Sequence, residues 1–147
     1  MLFSARFWSR PLVLAALLGG AIVATYLPSL RGDFLWDDDL HITANPTIVG
    51  PLGLKEIWTT ARANYFPLVL TNFWIQHAFW ELNPLGYRIV TLLCHVGAAL
   101  LLWRVLVALL VPGSPRRTEA EPGSPRRSVA EAGAWLGAAL WALHPVQ

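Results

Sequence analysis

Two long apolar runs constrain this chain more than any other feature. The first covers residues 11–30 and follows Arg6 and Arg10; the second covers residues 85–111, where the charged residues are Arg88 and Arg104. About 20 apolar residues rise about 30 Å as a helix, enough to cross the hydrocarbon core of a bilayer. Each run therefore reads as a membrane span. Composition agrees: 14% of the 147 residues are charged and 55% are apolar, against about 25% charged in a soluble domain. A cleaved signal peptide is the rival for the first run. That run is long for a signal's apolar region, and Ile22 and Ala24 make a poor small-x-small cleavage site, so an uncleaved span is expected. Trp8 and Tyr26 fit its two interfaces, and Trp103 with Arg104 fits an interface of the second span.

The expected fold class is all-α: a multi-spanning membrane protein with two full transmembrane helices, a truncated third, and interfacial helices in the first outer loop. Residues 1–111 hold the first two spans and an acidic outer loop. Within that loop, residues 52–63 form a mildly amphipathic helix with Leu54, Ile57, Trp58 and Ala61 on one face. Residues 67–81 form a second helix that Pro67 opens. Thr71, Asn72, Gln76 and His77 interrupt its apolar residues, so it is too short and too polar to span and suits the membrane surface. Residues 112–131 carry the motif Pro-Gly-Ser-Pro-Arg-Arg at 112–117, repeated unchanged at 122–127. Such a composition cannot bury a core, so a disordered basic loop is expected. Residues 132–147 begin a third span that stops short, as the front piece of a larger protein would. In it Gly133 and Gly137 are spaced for close helix approach.

Arginines set the orientation. Arg6 and Arg10 at one end and Arg116, Arg117, Arg126 and Arg127 in the basic loop belong on the cytoplasmic side. Two spans between them satisfy that, whereas a spanning helix at 67–81 would not. The loop between the spans then faces outward, into a periplasm or lumen, and a bacterial cytoplasmic membrane is expected. The net charge of +2 leaves no electrostatic footprint for nucleic acid. Cys94 stands alone, so no intrachain disulfide or thiolate metal site can form; it reads as a small buried hydrophobe. His95, near mid-span, needs a partner and reads as a tie between helices.

The outer loop carries Asp37, Asp38 and Asp39 in succession, with His41 two residues on. Carboxylates held beside a bilayer suit a substrate lying partly in lipid and partly in water. Their plainer readings are a solvated loop or a cap for a helix starting near Leu40. Adjacent acids can also ligate a divalent cation, although three aspartates without further ligands do not specify one.

In this setting four stretches resemble one family. They are Gly32-Asp33-Phe34-Leu35-Trp36-Asp37-Asp38-Asp39 with Asn45-Pro46 after it, Tyr65-Phe66-Pro67-Leu68, Trp80-Glu81-Leu82-Asn83-Pro84-Leu85-Gly86-Tyr87 with His95 beyond it, and Ala142-Leu143-His144-Pro145. In order and spacing they are similar to the N-terminal part of the GT-C membrane glycosyltransferases, above all the O-mannosyltransferase-like members that carry tetratricopeptide repeats. The duplicated arginine insertion departs from that pattern, and the later spans and repeats are missing. This stretch alone is therefore not expected to be active.

The resemblance implies an inverting enzyme. It would move a sugar, with mannose as one candidate, from a polyprenyl-phosphate carrier to a protein or glycan hydroxyl at the outer membrane face. Asp37 and Asp38 match the family's acid pair and are the catalytic candidates, Asp37 as the base; Asp39 matches a variable position. Arg88 is the candidate for the lipid phosphate, with an interface anchor as its plainer role. His41 and His144 are further candidates for substrate binding, each with a surface or helix-end role as the alternative. Two other classes stand beside the enzyme. One is a non-catalytic membrane scaffold or anchor of a tetratricopeptide-repeat protein. The other is a transporter segment, which the position of the acids outside the spans disfavours.

Overall fold

The computed structural model describes residues 10–60, 66–110 and 125–144, and among them every regular element is helical. The elements are α1 (Pro11–Tyr26), α2 (Leu54–Thr59), α3 (Pro67–Trp80), α4 (Pro84–Leu110) and α5 (Pro125–Leu143). A 3₁₀ turn (Leu27–Arg31) continues α1, and a π-helical turn (Asp39–Thr43) lies in the acidic loop. Proline opens α1, α3 and α4, where its missing N–H has no partner to lose and its fixed φ suits a helix start. Pro28 has the opposite effect: lacking an N–H, it breaks the α ladder, and the chain tightens into the 3₁₀ turn. Among the described residues two helices are long and apolar enough to cross a membrane, Pro11–Arg31 and Pro84–Leu110. Most of their surface faces outward, which sets them apart from the buried core helix of a soluble protein.

The chain divides into two compact units, Met1–Leu27 with Leu92–Gln147, and Pro28–Thr91. In the first unit, Leu14, Leu18 and Ile22 repeat every four residues along one stripe of α1 and are fully buried. They share a core with Ala99 and Trp103 of α4 and with Ala134, Ala138, Ala139 and Ala142 of α5. An all-alanine stripe lets backbones approach closely, and Trp135 Nε1 donates to the Leu14 carbonyl at 3.0 Å. Of the two expected contact glycines, Gly137 fits: a Cβ there would stand 3.3 Å from Leu106, whereas one at Gly133 would meet nothing within 4 Å.

Three expectations need correction in this unit. α5 begins at Pro125, well before Gly133, so part of the stretch read as a disordered loop is helix. Pro125 suits the helix start, and Arg127 pairs with Glu131 at 3.0 Å, one turn on. Trp103 is not an interface residue: it is 6% exposed inside the core, while Arg104 beside it is exposed. Cys94 is exposed rather than buried. It shares the outward side of α4 with Leu93 and Leu101, a side as apolar as the buried one. In such a helix apolarity cannot say which side faces in. Residues 111–124, with the first copy of the arginine motif, lie outside the described residues.

In the second unit Ile42, Ile48, Ile57, Leu70 and Tyr87 make a small core, with Phe34 and Phe73 against it. Glu56 starts α2 by reaching back to the Gly53 N–H at 3.0 Å. Of the face expected on this helix Ile57 is buried, while Leu54 and Trp58 are largely exposed and Trp58 donates its indole N–H to the Thr71 hydroxyl at 3.0 Å. α2 stops at Thr59, where Thr60 turns extended, earlier than the expected boundary at residue 63; Ala61 and Arg62 lie outside the described residues. α3 and α4 meet at a tight elbow. Glu81 takes a positive φ of 50°, the Asn83 side chain caps the Leu85 N–H at 3.1 Å, and Tyr87 donates to the Glu81 carbonyl at 2.9 Å.

Candidate functional site in the acidic loop

The loop after Gly32 is shaped largely by its own aspartates. The Asp33 carboxylate accepts from the Phe34 N–H at 2.8 Å, and Phe34 then turns into the small core with its ring edge-on to Tyr87. Trp36 takes a positive φ of 52° and is 93% exposed. That backbone costs a non-glycine residue about 1–3 kcal/mol. What holds it is a reciprocal pair: the Leu35 N–H donates to the Asp38 carboxylate at 2.9 Å, and the Asp38 N–H donates to the Leu35 carbonyl at 3.1 Å. Asp38 thus closes the loop backwards and does not cap the helical turn that follows it.

The π turn at Asp39–Thr43 closes with the Ala44 N–H donating to the Asp39 carbonyl at 2.8 Å. Asp39, expected to be solvated, is exposed but also accepts from the Thr43 hydroxyl at 2.6 Å. Beneath the turn Ile42 enters the core, and the Asn45 side chain takes both the Thr47 N–H and its hydroxyl at 2.9 and 2.7 Å. Asn45 and Thr47 are both buried. This Asx turn anchors the far end of the loop, and the Asn-x-Thr spacing was its sequence signal.

Asp37 differs from its neighbours. Its side chain is exposed, and among the described residues no hydrogen bond engages its carboxylate, while Asp33, Asp38 and Asp39 each hold one. Only its backbone carbonyl is used, accepting from the His41 N–H at 3.0 Å. A carboxylate with both oxygens free is available to take a proton from an incoming hydroxyl. The His41 ring sits edge-on to Phe66 at 6.4 Å and makes no hydrogen bond to an aspartate among the described residues.

Arg88, in the second turn of α4, comes to the same loop. Its guanidinium donates to the Asp33 carbonyl and lies against Gly32, where a Cβ would stand 2.8 Å from Nη2. Gly32 is thus a close-approach glycine, a role that spacing alone does not reveal. The Arg88 Nε is buried and has no partner among the described residues. A buried N–H left unpaired is uncommon; the guanidinium also has N–H donors beyond the one given to Asp33, and such donors suit an anionic oxygen.

The remaining candidate belongs to the other unit. His144 is exposed at the end of α5, its carbonyl accepting from the Tyr26 hydroxyl at 3.2 Å. The structure therefore gathers Gly32, Asp33, Asp37, Asp38 and Arg88 within one unit and leaves His144 in another. Among the described residues no three His, Cys, Asp or Glu side chains are grouped to hold a metal ion.

No family model matches the chain, and no solved structure does. Curated proteins do match. The chain is 29% identical over 94 residues to protein O-mannosyl-transferase F38B6.6 of Caenorhabditis elegans, covering 56% of this chain and 14% of that protein. It is 30% identical over 113 residues to protein O-mannosyl-transferase TMTC2 of Mus musculus, covering 69% of this chain and 14% of the mouse protein. With protein O-mannosyl-transferase TMTC4 of Homo sapiens the identity is 26% over 153 aligned residues, 96% of this chain and 19% of the human one. The chain spans between about a seventh and a fifth of the length of these relatives. By these matches the chain, whose described residues form two apolar helices long enough to span, an acidic loop between them and an arginine set against that loop, is a homologue of part of the protein O-mannosyl-transferases.

Proposed function

We propose that this chain is part of a membrane glycosyltransferase that moves a sugar, with mannose the first to test, from a polyprenyl-phosphate carrier to an acceptor hydroxyl on a protein or glycan. The reaction takes place at the outer membrane face and inverts the anomeric centre. The chain is a multi-pass membrane segment with a cytoplasmic N-terminus, α2 and α3 lie on the membrane surface, and the acidic loop is periplasmic or lumenal. One observation carries the reading: of the four aspartates in this loop, Asp37 alone has a carboxylate with no hydrogen bond among the described residues.

In this mechanism Asp37 removes the proton of the attacking hydroxyl as the oxygen closes on the anomeric carbon. Asp38 acts through the backbone, pinning Leu35 and so setting the direction in which Asp37 projects. Arg88 offers N–H donors to the departing phosphate, whose charge grows as the glycosidic bond breaks. The carrier's tail stays in lipid, which explains why base and cation belong next to the first turns of a span.

The test is sugar transfer by the intact protein in membranes. Asp37→Asn is expected to lower turnover by about 10²-fold or more, the usual worth of a general base, with insertion and abundance unchanged. Asp39→Asn is expected to stay within a few-fold of the parent. Full transfer by both Asp37→Asn and Asp38→Asn would remove the catalytic reading and leave a scaffold or anchor.

A further inference from the structure

α5 ends on a problem that the sequence sets. Pro145 has no N–H to offer the Trp141 carbonyl, and it disfavours helical backbone in the residue before it. The helix stops at Leu143, and the His144 N–H reaches back to Trp141, at 3.4 Å. Ala142, in the last turn, is left with a carbonyl that no later turn of the helix can satisfy. In water such a carbonyl is solvated; among apolar helices it needs a donor from elsewhere.

Two side chains supply donors from two other helices. His95, inside the apolar α4, places Nε2 2.9 Å from the Ala142 carbonyl. A carbonyl only accepts, so Nε2 carries the hydrogen. Tyr26, the last residue of α1, has its hydroxyl 3.2 Å from the same carbonyl and 3.2 Å from that of His144. The imidazole is oriented from both sides, edge-on to the Tyr26 ring at 5.3 Å and tilted against Trp141 at 5.3 Å.

We propose that His95 and Tyr26 form a two-donor clamp that caps α5 at its His-Pro stop and fixes the position of His144. The clamp goes beyond the transferase reading, because it needs no sugar and no turnover. It gives the mid-span histidine a definite task. It also makes the end of α5 the point where three helices are tied, so α5 cannot slip by one residue without exchanging the acceptor of both donors.

The test is spin-label mobility at position 144 in the intact protein, reconstituted in phosphatidylcholine vesicles, with Cys94→Ser and any other cysteines replaced. His144→Cys carries the nitroxide and keeps the backbone carbonyl that Tyr26 uses. The parent label is expected to be strongly immobilised. His95→Phe preserves a ring between Tyr26 and Trp141 but removes the donor; Tyr26→Phe removes the hydroxyl. Each is expected to shorten the label's correlation time severalfold, and the pair to be non-additive because both act on one carbonyl. His95→Gln, which returns an N–H donor, is expected to restore the parent spectrum. Unchanged mobility in both single variants would overturn the clamp. So would His95→Gln matching His95→Phe, since ring packing rather than the donor would then hold the helix end. Should His95→Phe fail to insert, Tyr26→Phe, a deletion of one oxygen, decides by the same readout.

Discussion

At the scale of single residues, the acidic loop shows how like groups acquire unlike roles. Asp37, Asp38 and Asp39 are chemically identical, yet one holds the backbone of Leu35, one holds the hydroxyl of Thr43 and one is free. A further test separates the free carboxylate from its support. Asp38→Ala loses the bond that balances the positive φ of Trp36, so transfer is expected to fall, and Trp36→Gly in the same chain is expected to recover part of it by removing the backbone strain. Transfer assays on the single and double variants would read this, and absence of any recovery would mean that Asp38 acts on the substrate itself. The glycines give a second test. At Gly86 a Cβ would lie 2.4 Å from the Trp80 indole. Gly86→Ala is therefore expected to destabilise the α3–α4 elbow by about 1–3 kcal/mol, read as a lower thermal midpoint in detergent. Leu in place of Trp80 is expected to remove most of that penalty.

At the scale of elements, α2 depends on its first turn. The Gly53 N–H bonded to the Glu56 carboxylate holds the Glu56 pKa below its ordinary value of 4.5, with the Lys55 charge a lesser cause. A carboxyl whose pKa is lowered by folding contributes above its unfolded pKa and ceases to contribute as pH falls through the lowered value. Amide exchange at Gly53 is thus expected to stay slow at neutral pH and to accelerate, relative to intrinsic rates, below about pH 4.5. Glu56→Gln should weaken that dependence, because a neutral amide still accepts the bond but does not titrate. The Gly53–Glu56 bond starts this helix at Leu54, where residue 52 was expected; a cap is a local bond, so that start is legible in principle in residues 53–56. Its end is not, because the extended turn at Thr60 follows from where Ile57 and Trp58 find partners in the second core and on α3.

At the scale of the whole molecule, the arginines make the prediction. The proposed topology puts Arg6, Arg10 and the basic loop on the cytoplasmic side, which requires an even number of spans between them. A glycosylation acceptor or an impermeant thiol label placed in the acidic loop should be modified from the outer side. One placed at residue 120 should be reached only from the cytoplasm. Modification of both sites from the same side would require an odd number of spans between residue 37 and the basic loop to be abandoned, and with it the surface position of α3.

What the sequence determined by itself is local. The two apolar helices, the proline start of α3, the acid triplet between the apolar helices and the order of motifs that resemble O-mannosyltransferases were all legible, because length, apolarity and punctuation act within one segment. Only the tertiary structure decided which carboxylate is free, that Arg88 meets the Asp33 carbonyl 55 residues away, and that His95 serves a helix end 47 residues on. It also put Trp103 inside and Cys94 outside. In a helix apolar on every side, residue type does not distinguish the surface that meets protein from the surface left exposed. That distinction comes from which helices pack together, and bonds between distant residues leave no mark on local periodicity.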